Sequence, residues 1–148
     1  MAYSLITEAA RTGRPESVRS LMDGLQVLVI EDDEADAYLI ELALCDHPRV
    51  GEIVHAADGA EALELIDSGA VEPDLAIVDL HMPRRDGFSF LVELGCRDEP
   101  RFPSVVLTSS TARSDAVRSL LRGANQVLTK PPTVDELEAM LGSAIASV

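Results

Sequence analysis

Five polar residues stand where short apolar runs of this 148-residue chain end or break: Glu31, Asp32, Asp79, Thr108 and Lys130. If those runs are strands of one parallel sheet, their carboxyl ends meet at one edge and the five side chains converge there. Three carboxylates brought together in this way repel one another unless a cation neutralises them. Mg²⁺ suits the set, because it takes oxygen ligands, keeps several waters and commonly bridges carboxylates to a phosphate. The pattern predicts a magnesium site that handles phosphate.

Asp79 is the predicted nucleophile of such a site. A carboxylate can accept a phosphoryl group to give an acyl phosphate, and catalysis of that transfer is mostly positioning and charge neutralisation. Lys130 can supply a point charge to the phosphoryl oxygens, and Thr108 can donate a hydrogen bond. Lys130 is also the only lysine in the chain. Each residue alone has a structural alternative, such as helix capping or a turn, but their joint occurrence at four strand ends favours chemistry.

The elements that must position these residues alternate between short apolar runs and longer amphipathic segments. Strands are predicted at residues 25–30, 50–56, 74–80, 103–107 and 127–129. Helices are predicted at 34–44, from the N-cap Asp58 to 66, at 88–94, at 114–121, and from Thr133 to 148. Five strands, each followed by a helix, predict an α/β fold of the flavodoxin-like kind. It has a doubly wound five-stranded parallel sheet, order 2-1-3-4-5, with helices on both faces.

Particular residues support these helices. Asp58 with Glu61, and Thr133 with Glu136, form capping boxes, and Gly123 stands where a helix C-cap is expected. The first helix is expected to have an apolar stripe formed by Ala35, Tyr38, Leu39 and Leu42, and the last helix by Leu137, Leu141, Ala144, Ile145 and Val148. Residues 1–24 lie outside the pattern and are expected to form an extension, with one or two short helical turns, before a domain at 25–148.

Composition limits the classes of partner. Acidic residues number 26 against 12 basic ones, for a net charge of −14, which disfavours direct nucleic-acid binding. The nearest basic patch is Arg84-Arg85, with Arg118 and Arg122 further on.

No apolar run approaches the roughly 20 residues of a membrane span, and the N-terminus lacks a signal-peptide pattern, so a cytoplasmic location is expected. The two cysteines, Cys45 and Cys96, are expected to be buried free thiols.

The segments VLVIEDD, VDLHMPRRDG, VVLTSS and LTKP make residues 25–147 similar to the receiver domain of bacterial response regulators. The resemblance implies that Glu31, Asp32, Asp79 and the backbone carbonyl of His81 bind Mg²⁺, and that Asp79 accepts the phosphoryl group. Thr108 and Lys130 then correspond to the family's hydroxyl and lysine residues. The implied donor is a histidine kinase or a histidine phosphotransfer protein. The details look most like the small single-domain regulators, including those paired with bacterial phytochrome kinases.

The chain departs from this family at two positions. Val127 stands where many members have an aromatic switch residue, and Pro132 stands where phenylalanine often follows Lys-Pro. Rotation of an aromatic ring coupled to Thr108 is therefore not available. In the family, the positions of His81 and Ser110 tune how quickly the acyl phosphate hydrolyses.

A switch without an output domain is expected, because the chain ends with the fifth helix. Its output surface is predicted at residues 116–121 and 134–145, acting through partner binding, homodimerisation or onward phosphotransfer. It is expected to be a phosphoacceptor rather than an enzyme, catalysing only its own phosphorylation and dephosphorylation.

Three other classes of protein fit these residues less well. A Mg²⁺-dependent phosphatase with an aspartate nucleophile usually has a second aspartate two residues on, where this chain has His81. An interaction module that is not phosphorylated predicts loss of site residues, and all five are present. A flavodoxin-like cofactor carrier needs a loop rich in glycine and hydroxyl residues after the first strand, where Glu31, Asp32 and Asp33 stand.

Overall fold

A computed structural model describes residues 24–82, 86–97 and 102–148. Its strands form a five-stranded parallel sheet in the order β2-β1-β3-β4-β5, which confirms the predicted fold. The strands are β1 Leu25–Ile30, β2 Val50–Ala56, β3 Leu75–Val78, β4 Ser104–Thr108 and β5 Gln126–Thr129. The helices are α1 Glu34–Cys45, α2 Gly59–Asp67, α3 Gly87–Gly95, α4 Arg113–Leu121 and α5 Val134–Ala146. The extension up to residue 23 and the Arg84-Arg85 patch lie outside the described residues.

The register of the central strands brings two strand ends level. Every residue of β1, β3 and β4 is buried, as expected for strands covered on both faces. In the β1–β3 pair, Ile30 lies opposite Val78. The next residues, Glu31 and Asp79, therefore leave the sheet at the same edge. The third strand is shorter than the predicted 74–80, because the chain leaves the ladder at Asp79.

The predicted N-caps Asp58 and Thr133 are confirmed, but the Glu61 side chain accepts the N–H of Ala57 at 3.0 Å instead of that of Asp58. The Asp58 side chain accepts the Glu61 N–H at 2.9 Å, and the Thr133 side chain accepts the Glu136 N–H at 3.2 Å. Asp33 caps α1 by accepting the N–H groups of the second and third residues of the helix. Gly123, directly after the α4 cap, has a φ of +102°, a backbone conformation that favours glycine. These local signals fix where each helix begins or ends at the site edge.

Two apolar layers cover the sheet. One packs α1 and α5 against it through a cluster that includes Ile40, Leu44, Leu137 and Leu141. The other packs α2 and α3 on the opposite face around Phe90. Within the described ranges, no helix is both long and apolar enough to cross a membrane.

The predicted apolar face of α1 is wrong. The residues that the helix buries are Ala37, Ile40, Ala43 and Leu44, whereas the predicted stripe is exposed, with Tyr38 at 53%. The reason is that α1 has apolar residues on more than one face, and its packing against α5 and the sheet selects the face containing Ile40 and Leu44.

Two further expectations about burial are also wrong. Val148 lies beyond the end of α5 and is exposed. Both cysteines are free, as expected, but Cys45 is half-buried and Cys96 is exposed, because each lies at the end of its helix.

Candidate functional site

Backbone hydrogen bonds join the strand ends that present the predicted residues. The Glu31 N–H donates to the Ala56 carbonyl at 3.1 Å, and the Asp79 N–H donates to the Ile30 carbonyl at 3.0 Å. On the other side of the sheet, the Lys130 N–H donates to the Thr108 carbonyl at 2.8 Å. All five predicted side chains therefore leave the sheet along its carboxyl edge.

Three carboxylates meet at this edge. One oxygen from each of Glu31, Asp32 and Asp79 lies within 4.8 Å of the others. Glu31 is 1% exposed and Asp79 is 7% exposed, whereas Asp32 faces solvent. An all-oxygen donor set that is open to water on one side fits Mg²⁺, a hard cation that keeps several waters.

The electrostatics of the cluster favour a cation. Burial raises the pKa of Glu31 to about 7, and repulsion from Asp79 adds to the effect, although the Lys130 ammonium opposes it. Burial also raises the pKa of Asp79, against the opposing charge of Lys130 and the hydrogen bond from the Leu80 N–H. Ionising both buried carboxylates costs free energy, and a cation bound between them would offset that cost.

Lys130 joins the cluster to α1. Its Nζ donates to Glu31 Oε2 at 2.8 Å and to Asp36 Oδ2 at 3.0 Å, and it lies 3.8 Å from Asp79 Oδ1. Burial lowers the Lys130 pKa, but the bonds to Glu31 and Asp36 outweigh it, so the net pKa is raised. The ammonium is therefore charged at neutral pH. Asp36 could not be predicted as a site residue, because nothing distinguishes it from the other acids of the EDDEAD segment.

Thr108 begins a polar chain that leads to α4. Its Oγ1 accepts the Ser110 N–H at 3.1 Å, and the Ser110 hydroxyl donates to Asp115 Oδ2 at 2.7 Å. His81 Nε2 lies 3.4 Å from the same oxygen. The Ser110 hydrogen bond is the main cause that lowers the pKa of Asp115. The β3–α3 and β4–α4 loops thus share one carboxylate in the first turn of α4, which the sequence did not mark.

His81 itself is placed partly as expected. Its side chain is exposed at the rim and meets the Phe88 ring edge-on, with the ring centroids 6.4 Å apart. The metal-ligand role of its backbone carbonyl stays a prediction.

Gly87 is a third residue, after Asp36 and Asp115, whose role was not predicted. A Cβ built at this position would lie 2.3 Å from the carbonyl oxygen of Asp79, far inside contact distance. The first residue of α3 therefore packs directly against the backbone of Asp79, while its N–H donates to the Leu80 carbonyl at 2.9 Å. The signal was present in the sequence as Asp86-Gly87 ahead of an apolar helix, with Asp86 as the N-cap.

α4 buries fewer residues than any other described helix. Of its residues, all of which are described, only Ser119 is buried. The Arg118 guanidinium lies 3.9 Å above the centre of the Phe88 ring, a cation–π contact. Three apolar side chains of α4 face solvent: Val117, Leu120 and Leu121.

The fold and the site together define a doubly wound α/β domain with a carboxylate cluster at its switch point. Residues 27–142 match the family model of the response regulator receiver domain. The chain therefore belongs to that family, whose general function is to accept a phosphoryl group on an aspartate.

Known proteins agree with this assignment. The chain is 33% identical over 132 residues to the transcriptional regulatory protein TcrA of Mycobacterium tuberculosis, covering 88% of this chain and 50% of TcrA. It is 35% identical over 122 residues to the KDP operon transcriptional regulatory protein KdpE of Escherichia coli, covering 80% of this chain and 50% of KdpE. The chain spans about half the length of these relatives.

Among solved structures, the phosphorylated cyanobacterial phytochrome response regulator RcpA matches with a TM-score of 0.73 and 29% identity, covering 82% of this chain and 91% of RcpA. The Mn²⁺-bound response regulator Rcp1 matches with a TM-score of 0.73 and 27% identity, covering 82% of this chain and 92% of Rcp1. The predicted resemblance to small regulators of this kind is confirmed.

Proposed function

We propose that this chain is a phosphorylation switch of two-component signalling in which Asp79 is the phosphoacceptor. The observation that carries the proposal is the convergence of Glu31, Asp32 and Asp79 within 4.8 Å, with the Lys130 ammonium 3.8 Å from Asp79. The proposed domain begins at residue 25, since the family match and the sheet both start within a few residues of it.

The metal ligands in this proposal are the carboxylates of Glu31, Asp32 and Asp79 and the backbone carbonyl of His81. Bound Mg²⁺ would offset the charge of these carboxylates and of the phosphoryl oxygens. Support comes from the burial of Glu31 and Asp79, and from the Mn²⁺ held by the related regulator Rcp1.

Asp79 is proposed to attack the phosphoryl group directly. Asp79 Oδ1 is held by the Leu80 N–H at 2.9 Å, so Oδ2 is the proposed nucleophile. It attacks the phosphorus of a phosphohistidine ring protonated on its other nitrogen. A P–O bond forms as the P–N bond breaks, and the electron pair stays on the ring, which leaves as neutral histidine.

Lys130 and Thr108 are proposed to stabilise the transferred group. The Lys130 ammonium lies close enough to reach a phosphoryl oxygen on Asp79. The Thr108 hydroxyl accepts the Ser110 N–H, which uses a lone pair and leaves its own proton to donate. The group is later lost to water, which returns Asp79 to a carboxylate.

The proposed donor is a histidine kinase or a histidine phosphotransfer protein. Receiver domains accept phosphoryl groups from histidine kinases. The likeness to RcpA, which is a phytochrome response regulator, favours a donor of the phytochrome-kinase kind.

The proposed output surface is α4. Movement of Thr108 towards a phosphoryl group would pull on Ser110 and hence on Asp115 in the first turn of α4. This route does not need an aromatic residue at position 127, where Val127 packs beside Phe88 and Val106. α5 uses its apolar face to pack on α1, so the exposed apolar residues of α4 are the better candidates for binding a partner or a second copy.

Phosphorylation by acetyl phosphate with Mg²⁺ tests the phosphoacceptor assignment. Wild type should be labelled, and Asp79→Asn should not. Asp46→Asn, which removes an exposed carboxylate at the end of α1, is the matched control and should be labelled like wild type. Undiminished labelling of Asp79→Asn would exclude Asp79 as the acceptor.

Molar mass in solution, measured with and without beryllofluoride and Mg²⁺, tests the output. Beryllofluoride stands in for the phosphoryl group. An increase in mass that is lost in Leu121→Asp would identify self-association through α4. An unchanged mass would point to a different partner protein or to onward phosphotransfer.

A further inference from the structure

Lys130 has a partner that belongs to neither the proposed metal site nor the phosphoacceptor. Asp36, in the first turn of α1, accepts a hydrogen bond from Lys130 Nζ at 3.0 Å. The other short contact of this ammonium is with Glu31 Oε2, at 2.8 Å. Two of the three N–H donors of Lys130 are thus directed at Glu31 and Asp36, while Asp79 Oδ1 lies beyond hydrogen-bonding distance at 3.8 Å.

A phosphoryl group on Asp79 would change the demand on this ammonium. It would bring roughly −1.5 to −2 of charge and three acceptor oxygens to the far side of Lys130. A phosphoryl oxygen within reach of this ammonium would compete with Glu31 and Asp36 for its three N–H donors.

The two present partners differ in how easily they can be released. The Glu31 side chain is 1% exposed, whereas that of Asp36 is 41% exposed. The buried carboxylate of Glu31 needs a cation beside it, whether Lys130 or a bound metal. The half-exposed carboxylate of Asp36 is rehydrated when it is released, and exposed ion pairs contribute little to stability. Asp36 is therefore the partner that Lys130 can give up.

The surroundings leave space for this exchange. A cavity of about 40 Å³ adjoins both side chains and is lined by Leu39, Ile40, Leu107, Pro131 and Leu137, as well as by the pair itself. This space is large enough for a water molecule, which would hydrate Asp36 once Lys130 moves away.

We propose that Asp36 is a positioning residue that competes with the phosphoryl group for Lys130. It holds the ammonium towards α1 in the resting state and releases it when Asp79 is modified. This inference rests on the proposed function of Asp79. It also identifies α1, beside its exposed residues Tyr38 and Leu39, as a second element that senses the phosphoryl group.

The competition predicts that Asp36→Asn binds the phosphoryl analogue more tightly than wild type. Removing an exposed competing carboxylate should lower the dissociation constant of beryllofluoride, at saturating Mg²⁺, by roughly two- to fivefold. Asp36→Glu retains a carboxylate that can reach Lys130 and should restore the wild-type value. Glu34→Gln is the matched control, because Glu34 is exposed and lies in the same first turn, and it should leave the constant unchanged.

Nuclear magnetic resonance can observe the exchange directly, because Lys130 is the only lysine in the chain. Protein labelled with ¹³C-lysine should give one ε-methylene signal. In the resting state this signal should differ between wild type and Asp36→Asn, and with beryllofluoride and Mg²⁺ the two signals should coincide.

Three results would overturn the proposal: identical resting signals, a difference that persists in the beryllofluoride state, or analogue binding by Asp36→Asn that is unaltered or weaker. If wild type fails to bind beryllofluoride at all, the proposed function of the site has failed instead. Binding that is normal in wild type and unaltered in Asp36→Asn contradicts only the role of Asp36.

Discussion

Replacing Glu31 by glutamine should stabilise the metal-free protein while removing its response to Mg²⁺. The Glu31 side chain is 1% exposed, and its pKa is raised from 4.5 to about 7. Because the pKa is raised in the folded state, the stabilising contribution is present in full below pH 4.5 and is lost as the pH rises through about 7. Above that pH, folding must accommodate a buried carboxylate.

The magnitude follows from the same values. At about 1.36 kcal/mol per pKa unit, ionised Glu31 costs the folded state roughly 3 kcal/mol at pH 8. Glutamine avoids this cost but gives up the charge interaction with Lys130, which keeps its contact with Asp36. A net gain of about 1–3 kcal/mol is expected at pH 8, shrinking to below about 1 kcal/mol at pH 5.

Urea unfolding of the metal-free protein at both pH values measures these quantities. Glu64→Gln, which removes an exposed carboxylate from α2, is the matched control and should change stability by less than about 0.5 kcal/mol. Adding Mg²⁺ should stabilise wild type and leave Glu31→Gln nearly unchanged. A variant less stable than wild type at pH 8, or a gain that does not shrink at pH 5, would refute the reasoning.

Three further predictions concern other contacts at the site edge and its metal affinity. Gly87→Ala should destabilise the fold by about 1–3 kcal/mol in urea unfolding and slow acetyl phosphate labelling, because its Cβ would lie 2.3 Å from the Asp79 carbonyl oxygen. The control Gly95→Ala, whose Cβ would have no atom within 4 Å, should change neither quantity. Equal effects of the two substitutions would contradict the packing argument. Mg²⁺ affinity, measured by calorimetry, should fall roughly tenfold from pH 8 to pH 6. At pH 6 the metal must displace a proton from Glu31, whose pKa is about 7. A pH-independent affinity would count against Glu31 as a ligand. Ser110→Ala should destabilise α4 against local opening by about 1 kcal/mol, and the amides of α4 should then exchange hydrogen faster. The control Ser109→Ala, at an exposed residue, should not change the exchange. Unchanged exchange in Ser110→Ala would show that Ser110 does not hold the helix.

The sheet order and the position of the site edge could be predicted because they depend on short-range signals. Apolar runs that end in polar residues mark strand ends, and the side-chain caps at Asp58 and Thr133 mark helix starts. Parallel connectivity then brings the ends of β1, β3, β4 and β5 to one edge. That geometry alone predicts the common position of four site residues at this edge: Glu31, Asp79, Thr108 and Lys130.

The contacts that depend on packing could not be predicted. α1 has apolar side chains on more than one face, and only its packing against α5 decides that Ile40 is buried and Tyr38 exposed. The contact between Asp36 and Lys130 depends on that same rotation of α1. Asp115 and Gly87 likewise acquire their roles from neighbours distant in sequence, the loop at His81 and the backbone of Asp79.

The central claim is that Asp79 carries the phosphoryl group, and mapping the modified residue tests it most directly. The full chain would be incubated with acetyl phosphate and Mg²⁺, treated with borohydride, which reduces an acyl phosphate to an alcohol, and analysed by mass spectrometry of its peptides. We expect one reduced residue, Asp79 converted to homoserine. Reduction at another acidic residue, or phosphate found on a serine, threonine or histidine while Asp79 stays unmodified, would contradict the account.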